Sequence, residues 1–289
     1  MDKNTLEKRV LKVQRDELTG HYIYKKLAAA EKNNHNKRIL EQIAADELEH
    51  YNFFRQISGK AVKHSKAKVM LYYLIARTLG VTFGVKLMEK QELNAQRYYT
   101  EIAHLVPSVD KIIEAEEQHE TQLINMLKEE KLNYVGSIVL GLNDALVELT
   151  GTLAGLTFAL QKTDLIAVVG LITGIAASLS MAASEYLSTK AENENENALK
   201  SAIYTGIAYI ATVLILVTPY FFIDHYMLAL SATIANAILI ILAFNYYIAI
   251  AKDLNFKRRF VEMAAISLGV AALSFGIGVL VRTFLGVDI

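Results

Sequence analysis

Apolar residues are concentrated in the second half of this chain, in stretches long enough to cross a lipid bilayer. The 20 residues from Leu165 to Ser184 contain no charged side chain, and a helix of about 20 apolar residues crosses roughly 30 Å of hydrocarbon. Similar stretches occur at Tyr134–Leu160, Ser201–Ile223, Tyr226–Ala251 and Met263–Val281. The pattern predicts five membrane-spanning helices.

The first half has a different pattern, with few Gly or Pro residues and no strand-like alternation over residues 4–130. Such a pattern favours helices. We expect helices at Asn4–Lys32 and Asn36–Ser58, a third ending near His104, and a fourth at Ser108–Glu130 that begins after Pro107. The chain is thus predicted to be all-α, with a cytosolic four-helix bundle at residues 1–132 and a membrane domain at residues 133–289.

Charged residues follow the same division. The 30 basic and 30 acidic residues balance, yet residues 1–133 carry 41 of these charges and the other 156 residues carry 19. A neutral chain gives no electrostatic argument for a nucleic-acid partner. The absence of Cys excludes disulfides, thiolate zinc sites, iron–sulfur clusters and Cys nucleophiles. Any metal site must therefore use Glu, Asp, His or Met.

Basic residues beside the spans predict the orientation of the chain. The loops after the second and fourth spans hold Lys190, Lys200, Lys252, Lys257, Arg258 and Arg259, against Lys162 and Arg282 on the opposite side. Basic loops stay on the cytoplasmic side, and the first twenty residues lack the apolar core of a secretory signal. We expect a multi-pass protein of the cytoplasmic membrane with its N-terminal domain in the cytoplasm.

Two carboxylates interrupt the first span. Asp144 and Glu148 are four residues apart and therefore share a helix face. Because ionised carboxylates are costly in lipid, such a pair is expected to face a cavity or an ion path. Met181 and Glu185 repeat the spacing at the cytoplasmic end of the second span. Carboxylates with a thioether suit a divalent ion such as Fe²⁺; alternatively, Glu185 is hydrated at the interface and Met181 is ordinary packing.

Small residues four apart occur on the first two spans. They are Gly151 with Gly155 and Gly170 with Gly174. Such pairs permit close contact between helices, either within one bundle or in a dimer.

The run Gly141-Leu-Asn-Asp144 and the run Ser180-Met181-Ala-Ala-Ser-Glu185-Tyr186-Leu-Ser resemble the first two helices of the vacuolar iron transporter family, with motifs close to GLxDG and SMaxxEYLS. The resemblance covers residues 134–289. It implies a homodimeric carrier that moves Fe²⁺, and often Mn²⁺, out of the cytosol in exchange for protons. It also implies a path at the dimer interface lined by Asp144, Glu148, Met181 and Glu185.

The sequence departs from that family at two places. Ala145 replaces the Gly that usually follows the Asp, and only Lys190–Lys200 stands where plant-type members have a long metal-binding insert. Another part of the chain must therefore receive the metal.

Two Glu-x-x-His pairs occur in the first half. They are Glu47 with His50 on the second predicted helix and Glu116 with His119 on the fourth. At this spacing the carboxylate and the imidazole project from one helix face, as in di-iron carboxylate bundles, which also need Glu residues from the other two helices. Glu17 on the first helix and Glu89 and Glu92 on the third are suitable. Either Glu89 or Glu92 alone would suffice as the bridging ligand.

These residues, with Tyr24, Phe53-Phe54 and Tyr98-Tyr99, resemble the rubrerythrin branch of the ferritin-like superfamily over residues 5–130. That resemblance implies a di-iron site. Rubrerythrin adds a Cys-rich electron donor that this chain lacks, which puts a peroxide reductase cycle in doubt. A ferritin-like domain followed by a transporter resembles the membrane-bound ferritin type of iron exporter.

The segment Val69–Met88 is strongly apolar, with Arg77 and Lys86 as its charges. It is long enough to be nearly a sixth span. The need to deliver Glu89 and Glu92 to the bundle instead favours a buried helix or a dimer contact.

The combined patterns predict a membrane exporter of Fe²⁺ or Mn²⁺ with a cytosolic iron-binding domain. The predicted partners are divalent metal ions, protons, the lipid bilayer and a second copy of the chain. The alternative is a membrane-anchored di-iron ferroxidase or peroxidase in which the spans serve as a tether. Paired intramembrane carboxylates favour transport, because a tether does not need them; ferroxidase activity in the bundle remains open.

Overall fold

A computed structural model of the chain describes residues 3–95, 134–192 and 197–285. The chain divides into two compact units, Met1–Glu130 and Lys131–Ile289. The described residues form helices throughout and contain no strand, as predicted. The fourth bundle helix predicted at Ser108–Glu130 and the end of the third near His104 lie outside the described residues.

In the first unit, the described helices are α1 (Lys3–Ala30), α2 (Asn34–Ser58), α3 (Lys66–Leu79) and α4 (Val81–Ala95). The Asn33 side chain caps α2 by accepting hydrogen bonds from the backbone N–H groups of His35 and Asn36. Gly59, in the left-handed conformation at φ 64°, ends the same helix. These local signals explain why the second helix begins and ends close to its predicted bounds.

The apolar core of the first unit involves all four described helices. Its fully buried side chains include Tyr24 from α1, Leu40 and Ile43 from α2, and Val85 from α4. Ala76 of α3 packs in the same cluster. The core holds α1 and α2 side by side, and these helices carry Glu17, Glu47 and His50.

The apolar segment Val69–Met88 is not one long helix. It is divided between α3 and α4 at Gly80, whose φ of 109° is accessible mainly to glycine. At a rise of 1.5 Å per residue, α3, with 14 residues, is about 21 Å long and cannot cross roughly 30 Å of hydrocarbon. The interpretation as a sixth span is therefore wrong, and the buried residues Val69, Tyr72 and Ala76 place one face of α3 in the core.

In the second unit, the described helices are α5 (Val135–Leu160), α6 (Thr163–Glu192), α7 (Ala198–Phe222), α8 (Tyr226–Ala251) and α9 (Phe256–Leu285). Within the described part of the chain, these five are long and apolar enough to cross a membrane. The five predicted spans are thus confirmed. Large apolar side chains such as Ile172, Leu179 and Leu273 are more than 60% exposed, which suits helices surrounded by lipid.

The α5 helix is central to the membrane unit, because it packs against the other four helices. Its residues Leu146, Leu149 and Leu153 are buried in a core shared with Tyr209 and Leu216 of α7. The predicted glycine pairs make close contacts inside this one chain. Gly151 and Gly155 face α9, and Gly170 and Gly174 face side chains of α5 and α7; the residues they meet are Val270, Ser274, Leu153, Val217 and Val213.

Candidate metal sites

The two carboxylates of the first span lie on α5, one turn apart. Asp144 is half-buried and Glu148 is exposed on the isolated protomer. The neighbouring Ala145 and Leu146 are fully buried in the core. One face of α5 is therefore anchored in apolar packing while the adjacent face carries two carboxylates.

A tyrosine on another helix holds Glu148. The hydroxyl of Tyr209, on α7, donates a hydrogen bond of 2.8 Å to Oε2 of Glu148. Tyr209 is fully buried, so its ring is fixed by the core while its hydroxyl reaches the carboxylate. The orientation of Glu148 is thus determined by α7 as well as by its own helix.

A serine on α5 holds the carboxylate predicted on the second span. The hydroxyl of Ser137 donates a hydrogen bond of 2.6 Å to Oε1 of Glu185 on α6. Ser137 precedes Asp144 by two helical turns, and its backbone oxygen accepts a 3.0 Å hydrogen bond from the Thr205 hydroxyl. Three helices therefore meet at the N-terminal end of α5.

Gly141, in the motif that precedes Asp144, permits this meeting. A Cβ atom built at Gly141 would collide with the backbone oxygen of Thr205. The glycine therefore lets α7 approach α5 closely, one turn before Asp144. This contact gives the motif glycine a packing role.

Met181 is half-buried and packs against the apolar core of the membrane unit. Within the described residues, Asp144, Glu148 and Glu185 do not form a group of three ligand atoms within 4.8 Å of one another. Inside one protomer these three carboxylates therefore do not enclose one ion.

A compact set of candidate metal ligands lies in the first unit. The ligand atoms of Glu17, Glu47 and His50 all lie within 4.8 Å of one another. Glu17 and Glu47 are buried, at 6% and 5% exposure, and Nδ1 of His50 lies 3.5 Å from Oε2 of Glu17. Two buried carboxylates and an imidazole are a suitable donor set for Fe²⁺, Mn²⁺ or Zn²⁺.

The surroundings of this set are tightly packed. A Cβ atom at Gly20 would lie 2.7 Å from the carboxylate carbon of Glu47, so the absence of a side chain there makes room for the ligand. Tyr24, seven residues after Glu17, is fully buried. The structure brings together the three candidate ligands predicted from α1 and α2. The remaining predicted ligands, Glu116 and His119 together with the side chains of Glu89 and Glu92, lie outside the described residues.

Sequence patterns alone did not identify Tyr209, Ser137 or Thr205. Their signal is weak, because hydroxyl side chains are tolerated in membrane helices when they bond to backbone oxygens. The structure shows that Thr205 and Tyr209, four residues apart on α7, are both fully buried. That spacing marks a polar stripe on an otherwise apolar helix.

A comparison with curated proteins finds no match to the chain. The sequence profile of the VIT family matches residues 135–201 and 192–279. The matched ranges begin at the first residue of α5, end within α9, and together span half of the chain; they do not include residues 1–134. The VIT family match suggests transport of a metal ion such as iron or manganese across a membrane. The chain is a multi-pass membrane protein and belongs to the VIT family.

Proposed function

We propose that the chain exports Fe²⁺ or Mn²⁺ from the cytosol across the cytoplasmic membrane, in exchange for protons. The observation that carries the proposal is Glu148, a carboxylate exposed on a membrane-spanning helix and held in place by the buried Tyr209. A carboxylate at such a position is costly unless it faces water, an ion or another chain. An ion path accounts for both its exposure and its fixed orientation.

A second copy of the chain is part of the proposal. Gly136, Leu140 and Glu148 form an exposed stripe along α5, and Asp144 lies beside it. A homodimer that covered this stripe would bring two sets of Asp144 and Glu148 together, with Met181 and Glu185 completing the lining of the path. Two protomers would then supply six carboxylates and two thioethers to the path, whereas among the described residues of one protomer Asp144, Glu148 and Glu185 do not gather their ligand atoms within 4.8 Å.

The proposed orientation of the chain rests on its basic residues. Lys190, Lys200, Lys252 and Lys257 are exposed at one end of the bundle of spans. Their excess supports a cytoplasmic location for that end and for the N-terminal unit. Titratable carboxylates in the path suit an exchange of metal for protons.

The N-terminal unit is proposed to be a ferritin-like di-iron bundle that receives cytosolic iron. Glu17, Glu47 and His50 would hold one side of the site, and Glu89, Glu92, Glu116 and His119 would complete it. Bound iron would supply one-electron redox chemistry or a signal of iron abundance. The described residues orient the ligands: Gly20 leaves room for Glu47, and Glu17 lies within reach of the His50 ring.

Labelled iron tests the direction directly. We expect inverted membrane vesicles, whose cytoplasmic face is outside, to accumulate labelled Fe²⁺ when the chain is present. We expect dissipation of the proton gradient to abolish accumulation. Accumulation only in right-side-out vesicles would contradict export and would make the protein an importer.

A second candidate, a membrane-anchored di-iron oxidase, is favoured by the buried Glu17 and Glu47 beside the half-buried His50. It predicts oxygen-dependent oxidation of Fe²⁺ that is lost in Glu47→Gln and unaffected by Asp144→Asn. The exporter instead predicts that Glu47→Gln still transports at saturating iron. Glu49→Gln is the matched control, because Glu49 lies two residues from Glu47 on α2 and is exposed. Oxidation without any vesicle transport would favour the oxidase.

A further inference from the structure

Two buried hydroxyls on α7 contact α5 one helical turn apart. Thr205 donates to the backbone oxygen of Ser137, and Tyr209 donates to the Glu148 carboxylate. Both residues have 0% exposure. The α7 helix thus contacts both the backbone of α5 and one of its candidate metal ligands.

Tyr209 and Ser137 differ from other hydroxyls of these spans, because each donates to a carboxylate on another helix. Thr212 donates to the backbone oxygen of Ala208 and Thr218 to that of Leu214, each four residues earlier on α7. Such bonds satisfy a hydroxyl within its own helix. Tyr209 instead donates its hydroxyl to a carboxylate of another helix, so this bond also restrains a candidate metal ligand.

The bond leaves one oxygen of Glu148 for another ligand. Tyr209 contacts Oε2, and among the described residues the other oxygen, Oε1, receives no hydrogen bond. Ser137 and Glu185 repeat the arrangement, because the serine contacts Oε1 of that carboxylate. A hydroxyl that fixes one oxygen restricts the torsions of the carboxylate, so less conformational entropy is lost when an ion binds the other oxygen.

We propose that Tyr209 is a positioning residue that orients Glu148 so that its Oε1 binds the transported divalent cation. The inference rests on the proposed function, because it assigns Glu148 to the path. It adds α7 to the helices that determine metal affinity. Hydrogen-bonding partners that orient a metal ligand commonly change metal affinity by about 10- to 100-fold when removed.

The chain offers a matched control on the same helix. Tyr220 is 2% exposed, and its hydroxyl pairs with the Thr157 hydroxyl at 2.5 Å rather than with a carboxylate. Tyr209→Phe and Tyr220→Phe each remove one buried hydroxyl from α7 and retain the ring. A merely structural effect of losing a hydroxyl should therefore be similar in the two variants.

The test measures anaerobic Fe²⁺ binding to the purified full-length protein by equilibrium dialysis. All variants carry Glu47→Gln, which silences the proposed N-terminal site. We expect Tyr209→Phe to weaken binding about tenfold and Tyr220→Phe to bind like the parent. Equal affinities of Tyr209→Phe and Tyr220→Phe, whether both match the parent or both are weaker, would overturn the role of Tyr209.

Transport by reconstituted protein gives the second readout. We expect Tyr209→Phe to raise the half-saturating Fe²⁺ concentration about tenfold while the maximal rate is retained, since a positioning residue prepares the ligand. A lower maximal rate with an unchanged half-saturating concentration would contradict the inference. If the unmodified protein transports no Fe²⁺, the proposed function fails, and the binding comparison still decides whether Tyr209 positions Glu148.

Discussion

Single glycines determine how closely the helices approach the proposed metal ligands in both units. In the first unit, a Cβ atom at Gly20 would lie within 2.8 Å of the Glu47 carboxylate atoms. In the membrane unit, a side chain at Gly141 would collide with the backbone of α7. Side chains added at Gly20 and at Gly141 should therefore have different effects. The Glu47 carboxylate, at the end of a flexible side chain, can move aside, whereas a backbone oxygen cannot.

The substitution Gly20→Ala should therefore impair metal binding more than folding. Its Cβ would lie 2.7 Å from the carboxylate carbon of Glu47, and the Glu47 side chain would rotate away. Ala also favours the helix by about 1 kcal/mol relative to Gly. We expect metal affinity of the N-terminal site to fall about tenfold, measured by dialysis of Co²⁺ against the purified protein, with no loss of thermal stability.

Glu49→Gln supplies the baseline for that measurement, since Glu49 is exposed on the same helix as Glu47. Unchanged Co²⁺ affinity in Gly20→Ala would show that Glu47 is not a ligand or that the site tolerates its displacement.

At the residue scale, the sequence indicated candidate ligands but not the groups that contact them. Asp144 and Glu148 were evident because carboxylates are rare in apolar spans. Tyr209 was not, because a tyrosine in a span is ordinary and its partner lies 61 positions away in the chain. Tertiary packing alone determines which hydroxyl meets which carboxylate.

At the scale of helices, the contact of α5 with α9 depends on small residues. A Cβ atom at Gly155 would lie 3.1 Å from the backbone oxygen of Ser274. A Cβ atom at Gly278 would collide with the backbone oxygen of Gly155. Backbones this close gain dispersion contacts, which stabilise helix pairs where no hydrophobic effect operates between them. The α5 helix, which carries Asp144 and Glu148, is therefore held by α9.

The pair Gly278 and Gly276 on α9 provides a direct test of this packing. Gly278→Ala introduces a methyl group against an immovable backbone oxygen, whereas a Cβ atom at Gly276 meets nothing within 4 Å. We expect Gly278→Ala to destabilise the protein by about 1–3 kcal/mol and Gly276→Ala to be neutral or stabilising. Thermal unfolding in detergent measures both, and equal midpoints would argue against the close α5–α9 contact.

The spans themselves were predictable because each must hold about 20 apolar residues. The fourth, Tyr226–Ala251, has the predicted bounds. The second and fifth are longer than predicted, since α6 continues to Glu192 and α9 begins at Phe256. Hydropathy marks where hydrocarbon ends, whereas a helix continues into the polar interface as long as its backbone hydrogen bonds are satisfied. The break at Gly80 was missed because the apolar run continues across it.

At the scale of the whole molecule, the balanced charge conceals two units with different surroundings. The charged unit carries a compact set of candidate ligands, of which Glu17 and Glu47 are buried, and the apolar unit carries carboxylates on α5 and α6. The VIT family profile covers the apolar unit. The ferritin-like assignment of the first unit and the homodimer stay predictions, because the first depends on residues outside the described ranges and the second on contacts that one chain does not contain.

The central claim is that metal crosses the membrane beside Asp144, and flux through reconstituted protein tests it most directly. Proteoliposomes would contain equal amounts of wild-type protein, Asp144→Asn, or the control Asp164→Asn, whose carboxylate is exposed in the first turn of α6. We predict labelled Fe²⁺ flux at the wild-type rate in Asp164→Asn and a loss of at least about tenfold in Asp144→Asn. Wild-type flux in Asp144→Asn would contradict the account.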